Sequence, residues 1–145
     1  MLYLITGIIL VLDQWIKLLI RNSFQVNQSL PVIKNIFHLT YIRNTGASFG
    51  ILAGYRYLFI MISLVVIGGL LVYRYRLNAR SPFLDTSVGL IIGGATGNIA
   101  DRLRLGYVVD YLDFRIWPVF NLADSAVVIG VGLLILYIWK VEDIS

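Results

Sequence analysis

Cysteine is absent from the 145-residue chain, which excludes disulfides, thiolate-bound zinc and a thiol nucleophile. Histidine occurs once, at His38, too few for a His-rich metal site. Charge is scarce: Asp, Glu, Lys and Arg make up 14% of the residues, against roughly a quarter in a soluble domain. Hydrophobic residues reach 59% and the mean hydropathy is +0.82, which puts the chain among integral membrane proteins. The usual nucleophile and phosphate-binding patterns are also missing. There is no G-x-S-x-G, H-E-x-x-H or P-loop, and Ser48, Ser63, Ser87 and Ser125 lack a His or Lys base at a familiar spacing. The net charge of +4 suits anionic lipid headgroups, and with no DNA- or RNA-binding motif beside it no nucleic-acid partner is expected.

What is present is a set of apolar runs, at about residues 2–20, 57–73, 84–100 and 122–139. They predict an all-α membrane protein with four transmembrane helices, in one domain covering residues 1–145. In the first run only Thr6, Asp13, Gln14 and Lys17 are polar. Its basic residues follow the apolar stretch, Asp13 interrupts it and no small-x-small cleavage site comes after, so a retained helix is expected and not a removed leader. Residues 22–43 change character: Pro31 and several Asn and Gln break helical periodicity, and Ile36–Arg43 is rich in β-branched and aromatic residues. A small extramembrane β segment at the interface is predicted there, with His38 as an interfacial residue. Gly68-Gly69 in the second run allows close helix contact, and Gly93 and Gly97 stand at GxxxG spacing, suited either to helix packing or to a close-lying peptide backbone. Arg74, Arg76 and Arg80 make a short basic loop of cytoplasmic type, but the basic residues elsewhere oppose that reading, so charge does not fix the orientation.

Four of the eight acids fall between Gly93 and Ser125: Asp101, Asp110, Asp113 and Asp124. Carboxylates gathered at the ends of membrane spans are costly to keep, which makes a site the working hypothesis. Two acids sharing one pocket do not easily both ionise, so one keeps a proton while the other is free to take one from water. Asp110, beyond the third span, and Asp124, at the start of the fourth, fit that need best. With Asn121 as N-cap, Asp124 falls at the third helical position, near the positive end of the helix dipole, where a simple capping role is the competing reading. Asp13 and Lys17 stand four apart on one helix face, either as a structural ion pair or as the floor of a site. Asn98, Asp101 and Arg102 share a face in the same way. Asp101 is expected to pair with the neighbouring Arg102, and Asp113 is read as the more exposed acid, open to either role.

These blocks, taken in order, resemble the lipoprotein signal peptidases, the type II signal peptidases of bacteria. The blocks are Asp13…Lys17, YIRNTGASFG from Tyr41, GGATGNIADR from Gly93, VVDY from Val108 and FNLADS from Phe120. The likeness covers nearly the whole chain, with Ser48 where the family usually has Ala and Tyr111 where Phe is common. It implies an aspartic endopeptidase of the bacterial cytoplasmic membrane. Such an enzyme removes the signal peptide from diacylglyceryl-modified prolipoproteins, just before the lipidated cysteine. By the same likeness Asp110 and Asp124 are the catalytic pair, Asn44, Asn98, Arg102 and Asn121 contact substrate, and Asp13, Lys17 and Asp101 support the site. Residues 22–43 correspond to an interfacial β-cradle between helices 1 and 2. No metal and no cofactor are implied. Both termini are expected in the cytoplasm and the active site near the outer face, with membrane lipids as surroundings and a monomer as the working unit. Two other readings use the same residues: a small four-helix proton-coupled transporter, and a noncatalytic membrane assembly factor.

Overall fold

The most polar long helix is also the most enclosed. In the computed structural model, which describes residues 1–46, 54–76 and 81–142, the elements run α1 (Leu2–Ser23), β1 (Ser29–Ile33), β2 (Phe37–Asn44), α2 (Arg56–Arg76), α3 (Pro82–Leu105), β3 (Val108–Asp113) and α4 (Leu122–Glu142). Ser48, Gly50, Arg80 and Asp143 lie outside the described residues. α1, α2 and α4 are each long and apolar enough to cross a membrane. α3 is diluted by glycine and by Asp85, Asp101, Arg102 and Arg104, yet it packs against all three other helices and buries Leu84, Val88, Ile91 and Ile92 among them. Its start is set by Ser81, whose side chain accepts from Leu84 N–H, and by Pro82 in the first turn. Its end is set by Gly106 in the left-handed conformation.

Glycine brings the helices together. α1 and α3 run parallel, with Thr6 Oγ1 donating to the Gly89 carbonyl at 3.3 Å and Gln14 Nε2 to the Gly97 carbonyl at 3.1 Å, at the same sequence offset. A Cβ at Gly89 or Gly93 would come within 3.0 Å of α1, and one at Gly97 would meet Asp13 Oδ2 at 2.5 Å. On the neighbouring face, Gly94 lies against the Ala123 carbonyl and Gly130 against the Ser87 carbonyl, so α4 runs antiparallel to α3. The GxxxG spacing at Gly93 and Gly97 thus serves helix packing. Gly68 and Gly69 do not: no described residue lies within 4 Å of where their Cβ atoms would stand, because α2 turns that face away from its neighbours.

The three strands form one antiparallel sheet in the order β1-β2-β3. β1 and β2 arise where the β segment was expected, but the third strand comes from between α3 and α4, so the sheet is not confined to the link between the first two helices. Val108-Val109 and Tyr111 give that segment strand character, and it finds a free edge on β2. Ile42 pairs with Asp110 and Asn44 with Val108, beyond a bulge between Leu39 and Ile42. Val109 and Tyr111 turn into an apolar cluster with Ile20 and Tyr41. Asp110, between them in sequence, points to the opposite face.

Candidate active site

Phe120 folds back on Leu112, the two exchanging backbone hydrogen bonds of 2.8 and 3.1 Å, and this closes residues 113–119 into a loop. The first turn of α4 therefore starts beside Asp110. Asn121, fully buried, caps that turn: its Oδ1 accepts from Asp124 N–H at 2.9 Å, and Asp124 Oδ2 accepts in return from Asn121 N–H at 3.3 Å. Its Nδ2 faces Asp110 Oδ1 at 2.7 Å and Asn98 Oδ1 at 3.2 Å. Asn98 Nδ2 in turn donates to Asp124 Oδ1 at 2.7 Å. A chain of two amides thus joins the two carboxylates. Asn44, on β2, completes the shell of Asp110 by donating to its Oδ2 at 2.9 Å.

Beneath the amides lies a buried cation. The Lys17 ammonium, 2% exposed, meets Asn98 Oδ1 at 2.9 Å, Asp13 at 2.9 Å and Asp101 at 3.0 Å, so each of its three protons has an acceptor. The two acids are held by further donors. Ala123 N–H reaches Asp13 Oδ1 at 3.1 Å, Val109 N–H reaches Asp101 Oδ2 at 3.0 Å, and Gln14 Nε2 lies 3.2 and 3.0 Å from the two carboxylates. Asp13 therefore ties α1 to the first turn of α4, and Asp101 ties α3 to β3.

Asp110 and Asp124 open onto one cavity of about 210 Å³. Asn44, Asn98 and Arg102 supply its polar wall, while Phe59, Val108 and Val119 supply an apolar one. Arg102 lies over the Phe59 ring, 5.0 Å from its centroid, and donates to the Gly46 carbonyl at 3.2 Å. Burial, followed by the negative charge of Asp124, pushes the Asp110 carboxyl up to about 7 against the opposing pull of the Asn44 and Asn121 amides and the Lys17 charge. At neutral pH such a group holds or releases a proton at little cost, as general acid–base chemistry requires.

All nine residues singled out for the site come together here. Asp13, Lys17 and Asp101 form one buried ion network, and Asn44, Asn98, Arg102, Asn121, Asp110 and Asp124 surround the cavity or connect its acids. Two expectations are corrected. Asp101 pairs with Lys17 and not with its neighbour Arg102, because the helical step turns the two side chains to different sides: Asp101 towards α1, Arg102 into the cavity. Asp113 is buried, not exposed. Burial pushes its carboxyl up, but the Thr40 hydroxyl at 2.7 Å, the Arg115 N–H and the Arg115 guanidinium outweigh that and hold it below the usual range. Residues not singled out complete the arrangement. Gln14 is a polar side chain within an apolar run, one position from Asp13, and that placement is its signal. Tyr111, whose hydroxyl accepts from Leu122 N–H at 3.2 Å, and Phe59 carry no such signal.

The model of the family described as Signal peptidase (SPase) II matches residues 5–140 of the chain. A lipoprotein signal peptidase of Halothermothrix orenii is 59% identical over the whole of this chain and 99% of that protein. Another, from Moorella thermoacetica, is 54% identical over 90% of this chain and 87% of its own length. Among solved structures, a bacterial membrane enzyme determined in meso at 2.3 Å resolution superposes with a TM-score of 0.88 at 33% identity, covering 94% of this chain and 86% of that one. With a family match along nearly its full length, the chain belongs to the signal peptidase II family, the lipoprotein signal peptidases, and is a membrane enzyme.

Proposed function

We propose that this peptidase is of the aspartic class, and that Asp110 and Asp124 activate one water to cut the signal peptide from diacylglyceryl-modified prolipoproteins just before the lipidated cysteine. The observation that carries the reading is that both carboxylates line a single cavity and are joined through the amides of Asn121 and Asn98. Asp124 acts first as base and takes a proton from the water, whose oxygen attacks the scissile carbonyl carbon. Asp110 gives its proton to the carbonyl oxygen, yielding a tetrahedral diol. As the C–N bond breaks, Asp124 returns its proton to the leaving nitrogen and Asp110 recovers one from a diol hydroxyl. The dyad ends as it began. The side-chain amides of Asn44, Asn98 and Asn121 already donate to the two acids, so we read these residues as orienters of the dyad. Arg102 stands in the cavity wall as the group that holds the peptide chain.

In this reading α3 is a fourth membrane span. What supports it is a length of 24 residues, about 36 Å of helix, and its enclosure by α1, α2 and α4, which relieves it of the hydropathy a lipid-facing helix needs. The chain works as a monomer in the bacterial cytoplasmic membrane, both termini inside and the sheet end near the outer face. Substrate enters laterally and leaves its acyl chains in lipid. The test is a proteoliposome assay of a lipidated precursor beside an assay of solute uptake driven by a pH gradient. Cleavage that is lost in Asp110→Asn and in Asp124→Asn, with no uptake, is the expected result. Near-normal cleavage by either variant would sink the dyad, and gradient-driven uptake would favour a transporter.

A further inference from the structure

A second cavity, of about 230 Å³, opens on the other side of the Lys17 network, between α1 and α3. Because those helices run parallel, their last turns finish side by side at the sheet end, and each carries an arginine there, Arg21 and Arg104. Both arginines line the cavity, both are exposed, and among the described residues neither forms an ion pair with a carboxylate. Arg104 has only a long 3.5 Å contact to Gln14 Oε1. The one acid in the wall, Asp101, is already bound by Lys17, Val109 N–H and Gln14. Even with Asp13 counted, three cations (Lys17, Arg21, Arg104) stand against two carboxylates, and the surplus charge lies at the mouth. Nearer the membrane centre along α1, the wall continues as Trp15 and Leu18, 57% and 50% exposed.

We infer that this groove is a binding site for the headgroup of an anionic glycerophospholipid, with its phosphodiester on Arg21 and Arg104 and its acyl chains along Leu18 and Trp15. Paired guanidinia match phosphate oxygens in both charge and geometry. The apolar wall directly below them distinguishes a lipid from a free anion, which would leave Trp15 and Leu18 uncovered. A zwitterionic headgroup brings an ammonium group towards the same arginines and is disfavoured. The floor of the groove is Lys17, which also holds Asn98, so the bound headgroup lies one side chain from the amide that orients Asp124. The site itself does not depend on the peptide-cutting roles given to Asp110 and Asp124.

The test uses the full chain in vesicles, with Trp117→Phe and Trp139→Phe leaving Trp15 as the only tryptophan. Quenching of Trp15 fluorescence by brominated phosphatidylglycerol is compared with quenching by brominated phosphatidylcholine. At about 1 kcal/mol for each basic residue near the headgroups, two arginines give a preference for the anionic lipid of about thirtyfold. Arg21→Gln with Arg104→Gln brings that ratio close to one, whereas Lys34→Gln, in the turn between β1 and β2, and Asp110→Asn leave it unchanged. Equal quenching by the two lipids, or a preference that survives the double substitution, would overturn the assignment. So would loss of the preference on adding inorganic phosphate at the headgroup concentration, since the groove would then be a free-anion site.

Discussion

The Nδ2 of Asn121 stands 2.7 Å from Asp110 Oδ1, while the Oδ1 of the same side chain caps the N–H of Asp124 at 2.9 Å. One buried amide therefore sets the position of both acids, one by its donor and the other by its acceptor. Asn121→Ala removes the cap, at about 1 kcal/mol of stability, and frees Asp110 to swing. Displacement of about 1 Å at a reacting centre costs on the order of a hundredfold in turnover. The expected result is a folded, membrane-inserted protein whose kcat falls by that order, with a smaller change in KM. Asn121→Asp should be worse still, because it places a third carboxylate between two. Single-turnover cleavage in proteoliposomes measures both.

In the proposed mechanism the Asp110 carboxyl, raised to about 7, sets an alkaline limit on the reaction. With Asp110 as the acid that begins protonated, kcat/KM falls as pH rises through about 7. Stability has the same sign. From about 4 to about 7 the folded chain keeps a proton that the unfolded chain has released, so stability falls with rising pH across that window, by up to about 4 kcal/mol in all. Asp110→Asn should flatten that slope in denaturation measured at several pH values. Asp124→Asn removes one of the two causes and lowers the Asp110 transition, which is visible as earlier loss of the protonated-carboxyl band in infrared titration.

The acids of the candidate site were legible in sequence because each breaks an apolar background. Asp13, Asp101, Asp110 and Asp124 are conspicuous in a chain with eight acids, and the N-cap spacing from Asn121 to Asp124 is a local signal that the helix start confirms. What connects them was not legible. Val108–Asp113 is short enough to pass for a connector, and its role as the third strand depends on a free edge of β2 some seventy residues earlier. The choice of Lys17 over Arg102 as partner for Asp101 depends likewise on α1 and α3 lying parallel and close, as the glycine contacts between them allow. α3 shows the limit of hydropathy: a helix enclosed by other helices has its polar groups matched by protein and carries a weak apolar signal.

Among the described residues Lys17 is the sole cation in contact with two buried carboxylates, so Lys17→Met should be among the more damaging single changes. Breaking a buried pair from one side costs about 3–5 kcal/mol, because the remaining charge is left without compensation. Here Asp13 and Asp101 would lose their shared cation, and Asn98 would lose its donor from below. A double-mutant cycle with Asp101→Asn is expected to show strong coupling, with the double variant more stable than the sum of the single losses predicts. Thermal unfolding in detergent provides the measurement. Lys17→Arg should not restore the wild type, since a planar guanidinium does not reproduce three acceptors placed around an ammonium.

Glycine substitutions separate the packed helix face from the open one. At Gly94 a methyl group would collide with the Ala123 carbonyl, which belongs to the first turn of α4, one residue from Asp124. Backbone cannot move aside as a flexible side chain does, so Gly94→Ala must push the start of α4 away from α3 and carry Asp124 from Asn98. Gly97→Ala places its methyl group against Asp13 Oδ2 and should loosen the Lys17 network in a similar way. Both should lose a few kcal/mol of stability and most of the activity. Gly68→Ala and Gly69→Ala, in the interior of α2, meet no described residue within 4 Å. There the removal of glycine's backbone freedom should leave stability unchanged or raise it by about 0.5–1 kcal/mol, with full activity. The contrast is read from melting temperature and cleavage rate of the four variants side by side; a Gly94→Ala enzyme as active as Gly68→Ala would mean that cleavage does not need Asp124 held at this position, against the proposed dyad.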